Sequence, residues 1–209
     1  MTKTQEVLDE LDWKTGLPTG RQVLRGDAHR QGIAHRAMHL WVYTRLEGRL
    51  VLLFQQRSFE KPNFPGQFGP TVGGHVTSGE GIEALTREAQ EEIGLVVLPA
   101  QMERLGYNPF HFSLPGGYED YEWIEDWRCF ANQPLADYRF CDNEVIGMLA
   151  IEPHRLELAR REPQEALYFA GAERSPVQVS YLDFVTGLFE SPLFAALVNP
   201  PPFLKQSVG

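Results

Sequence analysis

One run limits what this chain can fold into more than any other: GGHVTSGEGIEALTREAQEEIGL, from Gly73 to Leu95. Two glycines open it and a glycine-punctuated turn follows. Glu83 to Ile93 then repeats with helical period, and Gly94 stands where a residue in the left-handed conformation ends a helix. At 3.6 residues per turn, Glu88, Glu91 and Glu92 are related by i, i+3 and i, i+4, so they share one face. Leu85, Ala89 and Ile93 form the adjacent apolar stripe, which must dock on a sheet. No lysine follows to relieve the repulsion, and Arg87 can neutralise one glutamate, Glu91 or the more distant Glu80. A charge run usually ends as a solvated face. Here the carboxylates flank the docking stripe, beside a glycine turn whose carbonyls are close. Hard divalent cations take oxygen ligands of this kind. The run therefore reads as a metal-binding helix.

Strand signals surround it. The first thirty residues read as two short strands about a turn at KTGLPTG. AMHLWVYTRLEGRLVLLFQQRS reads as a hairpin turning at LEGR. FEKPNFPGQFG is a punctuated loop. VVLPAQMERLGYNPFHFSL carries short strand signals broken by LPGG. In YEWIEDWRCFA, Trp123, Glu125, Trp127 and Cys129 share one face, and Ile124, Asp126 and Arg128 the other. A strand over Val145–Ile151 and a helix through PHRLELARRE follow. The tail offers a helix in YLDFVTGLFES, a shorter one near LFAALV, and the irregular NPPPFLKQSVG. Strands and helices without βαβ alternation predict a mixed sheet flanked by helices.

Composition narrows the function. A net charge of -9 argues against a nucleic-acid polymer as partner. No apolar run is long enough to span a bilayer. The acidic MTKTQEVLDELDW lacks the apolar core of a signal peptide, so a cytoplasmic protein is expected. Cys129 and Cys141 read as reduced thiols.

The central run resembles the Nudix box, G-x5-E-x7-R-E-U-x-E-E-x-G-U with U bulky and aliphatic. Arg87, Glu88, Ala89, Gln90, Glu91, Glu92, Ile93, Gly94 and Leu95 keep its register, with Ala89 small where bulk is preferred. Gly74 and Glu80 are separated by the required five residues, but Glu80 and Arg87 by six in place of seven. A one-residue deletion in Glu80-Gly81-Ile82 accounts for this. The resemblance implies an α/β fold, a Nudix α/β/α sandwich with a mixed β-sheet, which we place at residues 31–160. A β-hairpin extension at 1–30 and a helical extension at 161–209, packed on the core, complete the expected organisation.

The implied chemistry is hydrolysis of a diphosphate in a small molecule of the nucleoside diphosphate-X type, with one to three Mg²⁺ or Mn²⁺ ions. Glu88, Glu91 and Glu92 would hold metal, joined by the carbonyl of Gly73 and by Glu125; Glu122 and Glu144 are weaker candidates. Glu91, then Glu88, with Arg87, are the catalytic candidates. Gly74, Glu80 and Gly94 would support the site.

GDAHRQGIAHRAMHLWV and QQRSFEKPNFPGQFGPTVGGHV resemble the isopentenyl-diphosphate-isomerase-like branch of the family. In its isomerases, histidines near the start, one in the loop after Cys-Gly, and glutamates on a later strand bind a metal. This chain has His29, His35, His75 and Glu125. Gly73 occupies the position of the isomerase's catalytic cysteine and can neither donate nor accept a proton, which argues against isomerisation. His75, Arg57, Lys61, His35 and His29 are therefore taken as substrate-binding candidates. His39 reads as a packed or hydrogen-bonded histidine, and His111 and His154 as surface residues. A non-catalytic ligand-binding module is a third class, against which the three box glutamates count. The apolar residues of the tail, Phe184, Leu188, Phe189, Phe194 and Leu197, would cover the domain or make a homodimer contact.

Overall fold

The computed structural model describes residues 5–140 and 143–201; Cys141 and most of NPPPFLKQSVG lie outside them. β1 (Val7–Leu11) and β2 (Pro18–Leu24) form the expected hairpin. It runs into α1 (Arg25–Gln31), which sequence periodicity does not reveal because only Ala28 and His29 are buried in its seven residues. β3 (His35–Leu46) and β4 (Arg49–Arg57) are the second hairpin, turning at Glu47 and Gly48, both with positive φ. β5 (Phe68–Gly69), β6 (Val72–His75) and α2 (Glu83–Ile93) carry the central run. β7 (Met102–Leu114) and β8 (Tyr118–Phe130), β9 (Val145–Ile151), α3 (Pro153–Leu158), β10 (Gln164–Ala170), β11 (Glu173–Val179) and α4 (Phe194–Val198) follow.

The fold is α/β. Nine strands form one mixed sheet in the order β11-β10-β9-β4-β3-β8-β7, with β5 on β4 and β6 on β3. Among the described residues only the β3–β8 pair of strands is parallel. Alternation along β3 divides the core. Met38, Leu40 and Val42 meet Leu85, Ala89 and Ile93 of α2, whereas Trp41 and Tyr43 join the cluster under α3 and α4.

Two expectations change. The "short strand signals" before LPGG are one 13-residue strand, β7, in a long hairpin with β8. Pro109 is tolerated within it because β7 is the sheet edge. The extension after Arg161 is not mainly helical. QEALYFA contains good helix formers, yet pairing with β9 makes it β10, and β11 adds a further strand. In YLDFVTGLFES only Tyr181–Asp183 is helical, as 3-10, because Phe184 bridges to Phe68 and Gly187 takes φ 89°. The short helix near LFAALV is present as α4. Phe184, Leu188, Phe189, Phe194 and Leu197 are all buried in this chain's own core, which leaves none of them to a dimer surface.

The sheet opens at one point, and this creates the site. β3 and β4 pair only as far as Val42↔Leu53. Beyond that point β6 takes over the edge of β3 and β5 that of β4. Thr71 closes the fork, its hydroxyl accepting from Val42 N–H at 2.9 Å and donating to the Leu53 carbonyl.

Gly94 ends α2 at φ 66°, its N–H on the Gln90 carbonyl at 3.2 Å, with Leu95 N–H on Ala89. A Cβ there would stand 3.2 Å from Arg139 Cβ. Gly94→Ala is expected to destabilise the fold by about 1–2 kcal/mol, measured by urea unfolding.

Candidate functional site

α2 docks through its apolar stripe, which turns Glu88 and Glu92 inward along with it. Glu88 is 5% and Glu92 3% exposed, while the Glu91 side chain remains half in solvent. Arg87 ties the face together. Its Nε and Nη2 each donate to Glu80 at 3.1 Å, and Nη1 donates to Glu88 at 2.8 Å and Glu91 at 3.4 Å. Arg87 thus meets three carboxylates, where the sequence suggested one. Hydrogen bonds to Glu80, with the charge of Glu88, raise its pKa above the usual arginine value. Glu80 also accepts from the Thr77 hydroxyl at 2.8 Å, and its pKa is lowered by Arg87 and Thr77 against the opposing effect of burial. The loop that is one residue short still delivers Glu80 to Arg87.

Gly73 and Gly74 pass directly over these carboxylates. Gly73 N–H donates to Glu92 at 3.3 Å, and Gln55 approaches the same oxygen at 3.5 Å. A Cβ on Gly74 would lie 2.7 Å from Glu88 Cγ and Cδ. Gly74→Ala therefore has to displace Glu88; we expect a 10–100-fold loss of metal-dependent turnover, read by steady-state kinetics.

A second set of donors converges at the other end of β6. His29 of α1, His35 of β3, His75 of β6 and Asp120 of β8 present ligand atoms all within 4.8 Å of one another, the only such group among the described residues. Their positions follow from pairing: β3 lies between β6 and β8, with Ala37 opposite His75 and His35 opposite Glu122. The His35 and His75 rings stack at 5.0 Å, and His29 stacks on Tyr118 at 4.7 Å. His35 Nδ1 donates to the Ile33 carbonyl at 2.8 Å, so Nε2 carries the lone pair and faces Asp120 Oδ1 at 3.7 Å. His75 Nε2 stands 3.3 Å from Glu122 Oε1.

His35 Nε2 and Asp120 Oδ1 thus face each other as acceptors, and His29 Nδ1 stands 3.3 Å from the same oxygen. His29 Nδ1 and Nε2, His35 Nε2, His75 Nε2 and Asp120 Oδ1 are buried without hydrogen-bond partners. Such orphaned atoms cost free energy unless a cation or proton lies among them. Burial lowers the His35 pKa to about 4 despite Asp120, and burial with nearby Arg25 lowers that of His75 well below the usual value. Both imidazoles are therefore neutral at pH 7, the form that ligates metal. Burial and the Asp120 charge raise the Glu122 pKa well above the carboxylate range. The residues fit a divalent ion of the type that takes nitrogen as well as oxygen donors.

Both sets open on one cavity of about 600 Å³. His29, Arg57, Lys61, Gly73, Gly74, His75, Glu88 and Glu92 all line it; His35 lies behind, fully buried. Arg57 is held by Asn63, and Lys61 by Glu144 at 2.6 Å. Burial lowers the Arg57 pKa against the pull of Glu92, Glu122 and Glu144. Glu91 lies outside the lining. So does Glu125, whose strand parity turns it to the α2 side, where Arg104 Nη1 approaches at 3.5 Å. The carboxylates that β8 does present are Asp120, Glu122 and Asp126. Of these, sequence reasoning offered only Glu122, and weakly. The alternation in YEDYEWIEDW would have found all three had the parity been anchored. His39, read as packed or hydrogen-bonded, also faces the cavity. The far wall comes from the C-terminal segment, including Val185, Leu188 and Leu193.

Comparison with known proteins agrees with this architecture. The NUDIX domain family model matches residues 34–170. An uncharacterized Nudix hydrolase of Clostridium acetobutylicum is 32% identical over 156 residues, 75% of this chain and 73% of its own. Nudix hydrolase 3 of Arabidopsis thaliana is 36% identical over 93 residues, 44% of this chain but 12% of that protein. A crystal structure from Deinococcus radiodurans superposes with a TM-score of 0.53 at 26% identity, covering 72% of this chain and 86% of that one. The chain belongs to the Nudix family. Among the described residues no helix is long and apolar enough to cross a membrane.

Proposed function

We propose that this protein is a divalent-metal-dependent pyrophosphohydrolase that cleaves the diphosphate linkage of a small molecule of the nucleoside diphosphate-X type, acting in the cytoplasm. The observation that carries the reading is the meeting of Glu88 and Glu92 with His29, His75, Arg57 and Lys61 around one cavity. Glu88 and Glu92 would hold Mg²⁺ or Mn²⁺ on the helix side. His29, His35, His75 and Asp120 would hold a second divalent ion, with Glu122 beside them. Bound ions of this kind polarise phosphate oxygens and acidify water.

The chain's own groups do the rest. Arg57 and Lys61 face the cavity with positive charge for the diphosphate, although each is also engaged by Asn63 or Glu144. Arg87 and Glu80 hold Glu88 in place, and Gly74 leaves it room. Glu91, half exposed and outside the lining, is less suited than Glu88 or Glu92 to meet substrate. The apolar far wall bounds the space left for X.

One observation favours a second reading. Three histidines with carboxylates of β8 are what a likeness to the isomerase-like branch implies. Against isomerisation stands Gly73 in the position of the catalytic cysteine; Cys129, the one cysteine among the described residues, is buried on the α2 side of the sheet. Product analysis by mass spectrometry on nucleoside diphosphate-X compounds, nucleoside diphosphates and isoprenoid diphosphates, with and without Mg²⁺ or Mn²⁺, tests the proposal. Metal-dependent cleavage into two phosphoryl products supports the hydrolase. Conversion to a product of unchanged mass supports the isomerase, and binding without conversion a ligand-binding module.

A further inference from the structure

His39 lies on β3 between two residues that pack on α2, and so points the opposite way, into the cavity. Its side chain is 21% exposed, while Asp126 behind it is buried. His39 Nδ1 stands 3.5 Å from Asp126 Oδ1, and that oxygen accepts the indole N–H of Trp41 at 2.6 Å. Asp126 Oδ2 is buried with no hydrogen-bond partner. Asp126 therefore keeps acceptor capacity beside the His39 ring, whose Nδ1 faces it.

The other edge of the ring reaches Gly73. Were Gly73 to carry a Cβ, it would lie 3.2 Å from His39 Cδ2 and 3.6 Å from Nε2. The imidazole thus lies where a side chain at Gly73 would reach, and Gly73 in turn gives its N–H to Glu92. His39 Nε2 and the Glu92 carboxylate therefore flank one glycine at the cavity wall. His39 is not a member of the His29, His35, His75 and Asp120 group, so Nε2 is not committed there. Nδ1 toward a buried carboxylate and Nε2 toward an open cavity is the arrangement of a general base.

We infer that His39 is the catalytic residue that deprotonates the attacking water, with Asp126 as its positioning residue; the inference rests on the hydrolase reading above. In the step, the water oxygen forms the new bond to phosphorus and one of its protons passes to His39 Nε2. The bond from phosphorus to the bridging oxygen breaks, and its electron pair leaves with the departing phosphate. The imidazolium, held by Asp126, then returns its proton to that leaving group. One diphosphate and one water give two phosphoryl products.

The test compares the full-length protein with its His39→Ala and Asp126→Asn variants on whichever diphosphate it hydrolyses. His39→Ala is expected to lower kcat by about 100-fold or more, with KM changed by less than about threefold. Free imidazole, admitted to the space left beside Gly73, restores part of the loss. Asp126→Asn gives a smaller fall in kcat that imidazole does not relieve. A His39→Ala kcat within about threefold of the unaltered protein overturns the assignment, as does a loss that imidazole leaves unchanged. If Glu92→Gln abolishes turnover while His39→Ala does not, this inference fails and the hydrolase reading stands. No turnover by the unaltered protein with metal present overturns both.

Discussion

Glu92→Gln is expected to lower kcat for diphosphate hydrolysis by roughly 10²–10⁴-fold, because a metal-held carboxylate supports several kcal/mol of charge stabilisation and each 1.36 kcal/mol is tenfold in rate. Glu92 is 3% exposed and lines the cavity, and the change keeps its shape while removing its charge. Gly73 N–H and Gln55 can still bond the amide, but buried Arg57 loses the pull of the Glu92 charge, so the melting temperature is expected to fall modestly. Glu88→Gln should behave similarly but with some loss of stability, because Arg87 then loses its 2.8 Å partner. Glu91→Gln, at a side chain 51% exposed, should cost less than about tenfold. Equal losses at all three positions would contradict the placement of Glu91 outside the cavity.

The second large effect concerns the histidine cluster. With its orphaned nitrogens facing Asp120, the protein is expected to bind one transition-metal ion per chain there, measured by elemental analysis. At a free metal concentration 1,000 times Kd the folded state gains about 4 kcal/mol, so chelation should lower Tm by several degrees. His75→Ala should abolish that difference. In the metal-free protein, His35 has a folded pKa of about 4, below the ordinary 6.5. Between those values the unfolded chain binds a proton that the folded chain refuses, so stability rises with pH. It is complete above pH 6.5 and falls as pH drops toward 4. His35 alone accounts for about 3 kcal/mol across that window, with His75 adding in the same direction. A metal-free protein with flat stability from pH 7 to 4 would contradict the buried neutral cluster.

How much of this the residues disclose in advance depends on periodicity. α2 is legible because eleven residues repeat its apolar stripe, and the carboxylates follow from the wheel. The irregular spacing at Glu80 signals less than it suggests, since an arginine side chain spans the difference and still makes two 3.1 Å bonds. The β7–β8 hairpin is hidden by Pro109, which only an edge strand tolerates. β10 is hidden by helix-forming residues that sheet pairing overrides. The convergence of His29, His35, His75 and Asp120 depends on four elements meeting, which no local pattern carries; the family resemblance groups the three histidines but with Glu125 in the place of Asp120. Glu125 shows the same limit, since alternation groups residues by face but leaves open which face meets the cavity.

The most direct test is hydrolysis in ¹⁸O-labelled water with Mn²⁺ and a diphosphate substrate, followed by mass spectrometry of the products. Two phosphoryl products, with ¹⁸O in one of them, formed only with metal and lost in Glu92→Gln, are the predicted result. Substrate recovered intact, or converted to an isomer of unchanged mass with no label, would contradict the account.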